Sequence, residues 1–223
     1  MELRIDQSIG ELATAHPAAV RVFQRRRINF CCGGGQALDQ VCSHRGLDPN
    51  EVLAEIRSEM ERNEHKDLDW SARPLPELIG HLLERYHQPL YAELPRLERM
   101  AAKVRSVHGP RDPVRFAAIV HLIAALEEEL NGHMMREERV LFPAIAQGFG
   151  PRVGMPIQIM RRDHDTMRHQ LEQLRELTGN YAAPEEACTT WRALWAALAK
   201  LDDELMAHVH LENNVLFPRA LRG

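Results

Sequence analysis

Two stretches of this chain repeat one arrangement of metal-ligand residue types. Glu129-x3-His133-x3-Glu137-x2-Val140-Leu141-Phe142-Pro143 recurs as Glu204-x3-His208-x3-Glu212-x2-Val215-Leu216-Phe217-Pro218. Residues four apart on an α-helix are separated by about 40° and about 6 Å of rise, so each Glu-His-Glu row occupies one helix face. His87 precedes His133 by 46 residues and His164 precedes His208 by 44, so the repeat reads as a helix with one His, a loop, and a helix with His-x3-Glu. An antiparallel bundle can bring four such imidazoles and two carboxylates to one level of its core, a constellation suited to two metal ions.

With one nitrogen from each His and two bridging carboxylates, the protein fills about eight of the roughly twelve positions of two octahedral ions. A bridging oxo or hydroxo fills about two more, which leaves about one open position per metal for a small ligand, as redox or diatomic-gas chemistry requires. Imidazole with carboxylate suits iron, manganese or zinc alike. A single His-x3-Glu is ordinarily a surface pair four residues apart. The second copy, the common Val-Leu-Phe-Pro tail and the matching His87 and His164 set this case apart. Without a metal, several carboxylates and imidazoles on core-facing stripes would cost several kcal/mol.

Spacing leaves open whether Glu129 or Glu137 accompanies His133, and whether Glu204 or Glu212 accompanies His208. The carboxylate that does not ligate lies one turn away and is a candidate for hydrogen bonding to the ligands or for proton delivery. Asp163, next to His164, is a similar candidate; as a solvated acid beside Arg161 and Arg162 it would have no such role.

A second chemical signal is Asn29-Phe30-Cys31-Cys32-Gly33-Gly34-Gly35, placed after Arg25-Arg26-Arg27. The arginines favour thiolates, the glycines permit tight turns, and a helix beginning near Gln36 would lower a cysteine pKa further. Cys31 and Cys32 thus read as a reactive or metal-binding thiol pair that a loop of this composition does not bury in a core. Cys42 and Cys188 fall in helical patterns and read as structural. His16, His44, His65, His108 and His210 read as exposed or structural, and His81, His121 and His169 as core or surface residues off the ligand face.

These residues need helices to hold them, and helices are what the pattern predicts. No sustained period-2 alternation occurs, while Ala, Leu, Glu and Arg recur at helical spacing. Four long helices are expected, roughly Leu75–Val107, Pro113–Gln147, Met155–Leu177 and Glu185–Leu221, with stops at His108 to Pro113, at Gly148 to Pro156, and at a Gly C-cap in Thr178-Gly179-Asn180. Short connections imply an antiparallel up-down bundle. Pro89, Pro95, Pro143 and Pro218 should kink or break their helices. Residues 1–65 read as a small helical domain carrying the vicinal cysteines, with Ser8 capping Ile9–Ala15, a helix starting at Pro17 and another starting at Asp48-Pro49. The patternless segment Asn63 to Asp69 marks the boundary, with a linker at about 66–74 and the bundle over 75–223.

Composition narrows the rest. The chain has 223 residues, and 28 Lys and Arg against 32 Asp and Glu leave a formal charge of −4, so no basic field holds nucleic acid or an anionic membrane. Apolar runs such as Arg115–Leu126 stop well short of the roughly 20 residues of a membrane span, and the N-terminus lacks a signal-peptide core. Four cysteines are too few for a disulfide scaffold. These features point to the cytoplasm.

Taken together, the motifs resemble the repair-of-iron-centres (RIC) family. The matching points are Asn29-Phe30-Cys31-Cys32-Gly33-Gly34, Arg85-Tyr86-His87, His133-Met134-Met135-Arg136-Glu137-Glu138, Asp163-His164-Asp165, Cys188-Thr189-Thr190-Trp191 and Glu212 to Leu221, spread over essentially the full chain. The resemblance implies an all-α fold, a hemerythrin-like antiparallel four-helix bundle behind a small N-terminal cysteine-containing domain. It also implies that the downstream carboxylates ligate. Glu137 and Glu212 then bridge two iron ions per chain together with an oxo or hydroxo group, and His87, His133, His164 and His208 are terminal ligands. Glu129 and Asp163 fall where the family keeps acidic residues near the iron.

What such proteins do follows from the same resemblance: repair of iron–sulfur clusters damaged by nitrosative or oxidative stress, by iron donation or by redox chemistry, with the vicinal cysteines acting in repair or iron transfer. Nitric oxide reduction to nitrous oxide is a second activity the resemblance implies, so whether the protein is an enzyme stays open. Hemerythrin-like binding or sensing of oxygen or nitric oxide is a third, which leaves the cysteines unexplained and has four histidines where oxygen carriers have five. The expected partners are damaged iron–sulfur proteins and small ligands such as nitric oxide or oxygen, with no nucleic acid and no membrane; the chain is expected as a monomer or homodimer.

Overall fold

The computed structural model describes residues 3–62 and 69–222, and the described residues are helical with no strand. Residues 63–68, on which the sequence places the domain boundary and the start of the linker, lie outside the described residues, as does His65. The rest divides into two compact units, neither continuous in sequence. One comprises Met1–Leu78, Gly148–Arg152 and Met206–Gly223, the other Ile79–Gln147 and Val153–Leu205.

The second unit is an antiparallel four-helix bundle. Its helices are α6 (Gln88–His108), α7 (Pro113–Arg136), α9 (Gly154–Thr178) and the body of α10 (Thr189–His210), with α8 (Phe142–Ala146) after α7. Contacts at both ends fix the directions. Arg115 at the start of α7 donates to the Leu177 carbonyl at the end of α9, while His133 and His164 meet at the opposite end. Similarly, His108 packs on Trp191, with ring centroids 4.8 Å apart, and Arg85 pairs with Glu204 at 3.1 Å. All four helices send apolar residues to one core, including Leu94, Leu97, Ile119, Ile123, Leu126, Leu171, Leu174, Trp195 and Leu198. Burial of this stripe from each helix is what holds the bundle.

The stops act as their chemistry requires. Asp112 caps α7 by accepting from Arg115 N, Pro113 occupies the first turn, and Gly179 ends α9 at φ 59°, where a Cβ would be strained. α10 begins at Thr189 rather than Glu185, because residues after Pro184 form a turn, with Ala187 N donating to Pro184 O. Cys188 therefore lies just before the helix, exposed, with Sγ 3.2 Å from His108 Nε2.

Three of the four prolines share one effect. Proline has no N–H, so the carbonyl four residues back loses its helical donor. Before Pro89, Pro143 and Pro218 the chain widens into π-helix at Leu83–His87, Glu137–Leu141 and Leu211–Leu216. In each, the residue just before the proline donates five residues back, as Phe142 N does to Glu137 O and Phe217 N to Glu212 O. Such π segments concentrate at functional sites. Pro95 behaves otherwise, and α6 continues through it.

The first unit is built from α1 (Ile9–Ala15), α2 (Pro17–Arg25), α3 (Leu38–Arg45) and α4 (Pro49–Arg62), together with the C-terminal part of the chain. Ser8 and Glu11 form a capping box on α1. Its core joins Leu12, Val22, Phe23, Ile28, Phe30, Leu38 and Ile56 to Met206 and Val209. About 60 residues bury too little apolar surface to be robust alone, which gives that borrowing its physical reason. Glu59, buried between α4 and α2, accepts from Arg21 at 2.9 Å and Arg25 at 3.0 Å.

Candidate metal centre

In the bundle unit the ligand-type residues converge as acceptors. His87 closes one π segment and Glu137 opens another; both are buried, as are His133 and His164. Glu137 Oε2 lies 3.4 Å from His87 Nε2 and 3.2 Å from His133 Nε2, and His133 Nε2 lies 3.2 Å from His164 Nε2. One ligand atom from each of His133, Glu137 and His164 lies within 4.8 Å of the others.

The far side of two imidazoles settles what these atoms present. His87 Nδ1 is 2.9 Å from Glu138 Oε1, and His133 Nδ1 is 3.3 Å from Asp163 Oδ2. A carboxylate at Nδ1 holds a proton there, so in the neutral ring each Nε2 turns a lone pair toward Glu137. Acceptors gathered in a buried space repel one another and favour a cation. Their separations also suit one, because nitrogen and oxygen ligands bonded at about 2.1 Å to a common ion lie about 3 Å apart. The donor set fits a transition metal that takes imidazole and carboxylate.

In the first unit, His208 Nε2 and Glu212 Oε1 lie 2.8 Å apart, with both side chains buried. Glu212 sits in the third π segment, at the position that Glu137 holds in its own copy of the repeat. The upstream carboxylates are placed differently. Glu204 forms ion pairs with Arg85 and Lys200. Glu129 is half-buried on α7, and no hydrogen bond or ion pair joins it to the ligand-type residues among the described residues.

Asp163 does reach them. It also accepts from Arg136 at 2.7 Å. Burial would raise its pKa, but the hydrogen bonds from His133 and Arg136 hold the carboxyl below the usual range. Glu138 is a residue that the spacing argument missed. It accepts from Tyr91 OH at 3.1 Å as well as facing His87, and burial together with the Glu138 charge raises the Tyr91 pKa. Its sequence signal is its place beside Glu137, one turn before Phe142-Pro143.

The vicinal cysteines depart from expectation. Cys31 is 6% exposed and belongs to the core of its unit, and only Cys32 is partly accessible. The cause is Phe30, whose ring packs on Phe23 at 5.8 Å and His210 at 5.3 Å and draws the chain inward. α3 begins at Leu38 with Ala37 as its cap, so its first turn does not hold the thiols. Asn29 does, through an Oδ1 that lies 3.3 Å from both Cys31 Sγ and Cys32 N. The two sulfurs are 3.8 Å apart. Of the remaining histidines, His16 and His108 are buried, His44, His121 and His169 are exposed and His81 is half-buried. His210 is buried, and burial pushes its pKa down to about 4.

Helical bundle, buried His/Glu group and cysteine module define a class, and the comparisons agree with it. Residues 78–220 match the hemerythrin HHE cation binding domain, and residues 5–59 match a domain of unknown function, DUF542 (ScdA_N). The chain is 42% identical over 218 residues to the "iron-sulfur cluster repair protein YtfE" of Yersinia pseudotuberculosis serotype IB (strain PB1/+), covering 98% of each protein. It is 41% identical, with the same coverage, to the protein of that name from Yersinia pestis (strain Pestoides F). The chain belongs to the YtfE family of iron–sulfur cluster repair proteins.

Proposed function

We propose that His87, His133, Glu137, His164, His208 and Glu212 hold two iron ions per chain, with Glu137, Glu212 and an oxo or hydroxo group as bridges, and that this di-iron protein repairs iron–sulfur clusters damaged by nitrosative or oxidative stress. The observation that carries the reading is the convergence of His87 Nε2 and His133 Nε2 on Glu137 Oε2, with a carboxylate behind each imidazole. Bound iron would supply one-electron redox chemistry and a store of metal for donation.

The chain's own groups do the rest. Glu138 and Asp163 orient the two imidazoles and raise their basicity, which strengthens a metal bond. Tyr91 and Arg136 hold those carboxylates in turn. Cys31 and Cys32 are the transfer point toward the client protein, because paired thiolates bind ferrous iron. Damaged iron–sulfur proteins are the clients, and nitric oxide or oxygen are the small ligands of the centre. No helix of the described residues is long and apolar enough to cross a membrane. We place the protein in the cytoplasm, as a monomer or homodimer, consistent with its free cysteines.

Two measurements test this. Metal analysis of the anaerobically purified protein should find about two irons per chain, and Glu137→Ala/Glu212→Ala should lose them; zinc, or wild-type iron in the variant, would sink the centre. Reactivation of a nitric-oxide-damaged iron–sulfur protein should then fail with Cys31→Ala/Cys32→Ala while iron stays bound. Unimpaired reactivation by that variant would remove the thiols from the mechanism.

A further inference from the structure

The two residues after Glu212 point away from the ligand task and toward the cysteine loop. Asn213 Nδ2 donates to the Cys31 carbonyl at 3.2 Å. Asn214 Nδ2 donates to the Phe30 carbonyl at 3.2 Å, and it lies 3.4 Å from the Cys31 carbonyl and 3.0 Å from His210 Nδ1. Two side-chain amides therefore grip the peptide groups that flank the Cys31 Cα.

The oxygen end of Asn214 is boxed in by glycines. A Cβ on Gly34 would stand 2.6 Å from Asn214 Oδ1, and one on Gly10 would stand 2.9 Å from it, both nearer than side-chain carbons approach an oxygen. Gly10 N donates to Gly34 O at 2.8 Å, which pins the loop to the first turn of α1. Gly35, the next residue, would meet nothing within 4 Å. Gly34 thus answers first to close approach by Asn214, Gly10 to close approach by the Gly34 carbonyl, 2.8 Å from its Cβ position, as well as by Asn214, and Gly35 to neither.

We propose that Asn213 and Asn214 are positioning residues for the Cys31–Cys32 pair, and that their place on the π segment of Glu212 makes the accessibility of Cys31 follow metal loading. The clamp itself stands on the contacts above, and the coupling to metal rests on the proposed metal centre. Its physical basis is contiguity. A carboxylate held by metal restricts the backbone of its own segment, and Asn213 is the next residue on that backbone. Labelling of a buried thiol needs a local opening, and a segment that moves less opens less often.

Iodoacetamide labelling of the whole chain, resolved at each cysteine by mass spectrometry, reads this directly in metal-free and iron-loaded protein. Two lost hydrogen bonds should raise Cys31 labelling by about tenfold or more in metal-free Asn213→Ala/Asn214→Ala. Gly34→Ala should do the same by displacing Asn214 with both asparagines present, and Gly35→Ala should label as wild type. Cys42, fully buried in the same core, is the internal control and should stay protected throughout. Iron should slow Cys31 labelling in wild type and leave the double variant unaffected.

Wild-type Cys31 rates in the double variant or in Gly34→Ala would overturn the clamp. So would a parallel rise at Cys42, which would mean that the asparagines hold the whole module rather than the loop. An equal effect of iron on wild type and double variant would overturn the coupling. A chain that takes up no iron would sink the metal-centre reading and the coupling with it, and the metal-free comparison would still decide the clamp.

Discussion

The two copies of the repeat have kept the same frame and turned their neighbouring residues to different tasks. In both, a buried Glu opens or lies within a π segment that a Phe-Pro pair closes. After Glu137 comes Glu138, which backs a ligand-type imidazole; after Glu212 come Asn213 and Asn214, which hold the cysteine loop. The difference teaches that the Glu and the proline belong to the frame, whereas the one or two residues in between answer to whatever packs against that segment.

The strongest way to break this comparison is to remove a frame residue and its supposed substitute. Glu137→Ala should cost most of the roughly two irons per chain, since its carboxylate faces both His87 and His133, whereas Glu204→Ala should retain them. Metal analysis that finds the reverse would show that the upstream row ligates.

Next in size is Asp202→Ala. Asp202 is fully buried, paired with Arg175 and bonded to Tyr181 OH at 2.9 Å. Losing it removes the partner of a half-buried guanidinium and should destabilise the bundle by about 3 kcal/mol in chemical denaturation. Iron bound per folded chain should not change, because the ligands are held by their own neighbours. A proportional loss of iron from folded protein would contradict that local account.

Glu138→Ala sharpens the contrast itself. It should weaken iron affinity about 10–100-fold in competition with a chelator and leave Cys31 labelling unchanged, the opposite of the asparagine variant. The smallest effect is expected for Ser8→Ala, which removes the capping box of α1 and should cost about 1 kcal/mol in thermal or chemical unfolding with iron content unaltered.

Much of this was legible in the chain. Helix class, the four long helices, the Asp112 and Gly179 stops and the two His-x3-Glu rows all depend on residues close in sequence, where periodicity and capping chemistry act. Prolines 89, 143 and 218 announced breaks, but not their form, and nothing local separates them from Pro95, which α6 absorbs. The ambiguity between Glu129 and Glu137 could not be resolved by periodicity because both lie on the same face. Glu138 was hidden for a different reason: its partners His87 and Tyr91 lie 51 and 47 residues away.

The sequence by itself determined the residue types, their helical register and, through the repeat, that the two Glu-His rows match in spacing. Those follow from the α-helical repeat and from side-chain chemistry. Only the tertiary structure decided that Cys31 is buried, that the C-terminal residues Met206 and Val209 complete the core of the N-terminal module, and that Asn213 and Asn214 close on the carbonyls of Phe30 and Cys31, more than 180 residues away. The physical reason is that burial and hydrogen bonding are settled by whichever surfaces the chain brings together, and a module of about 60 residues takes its missing apolar surface from wherever the fold supplies it.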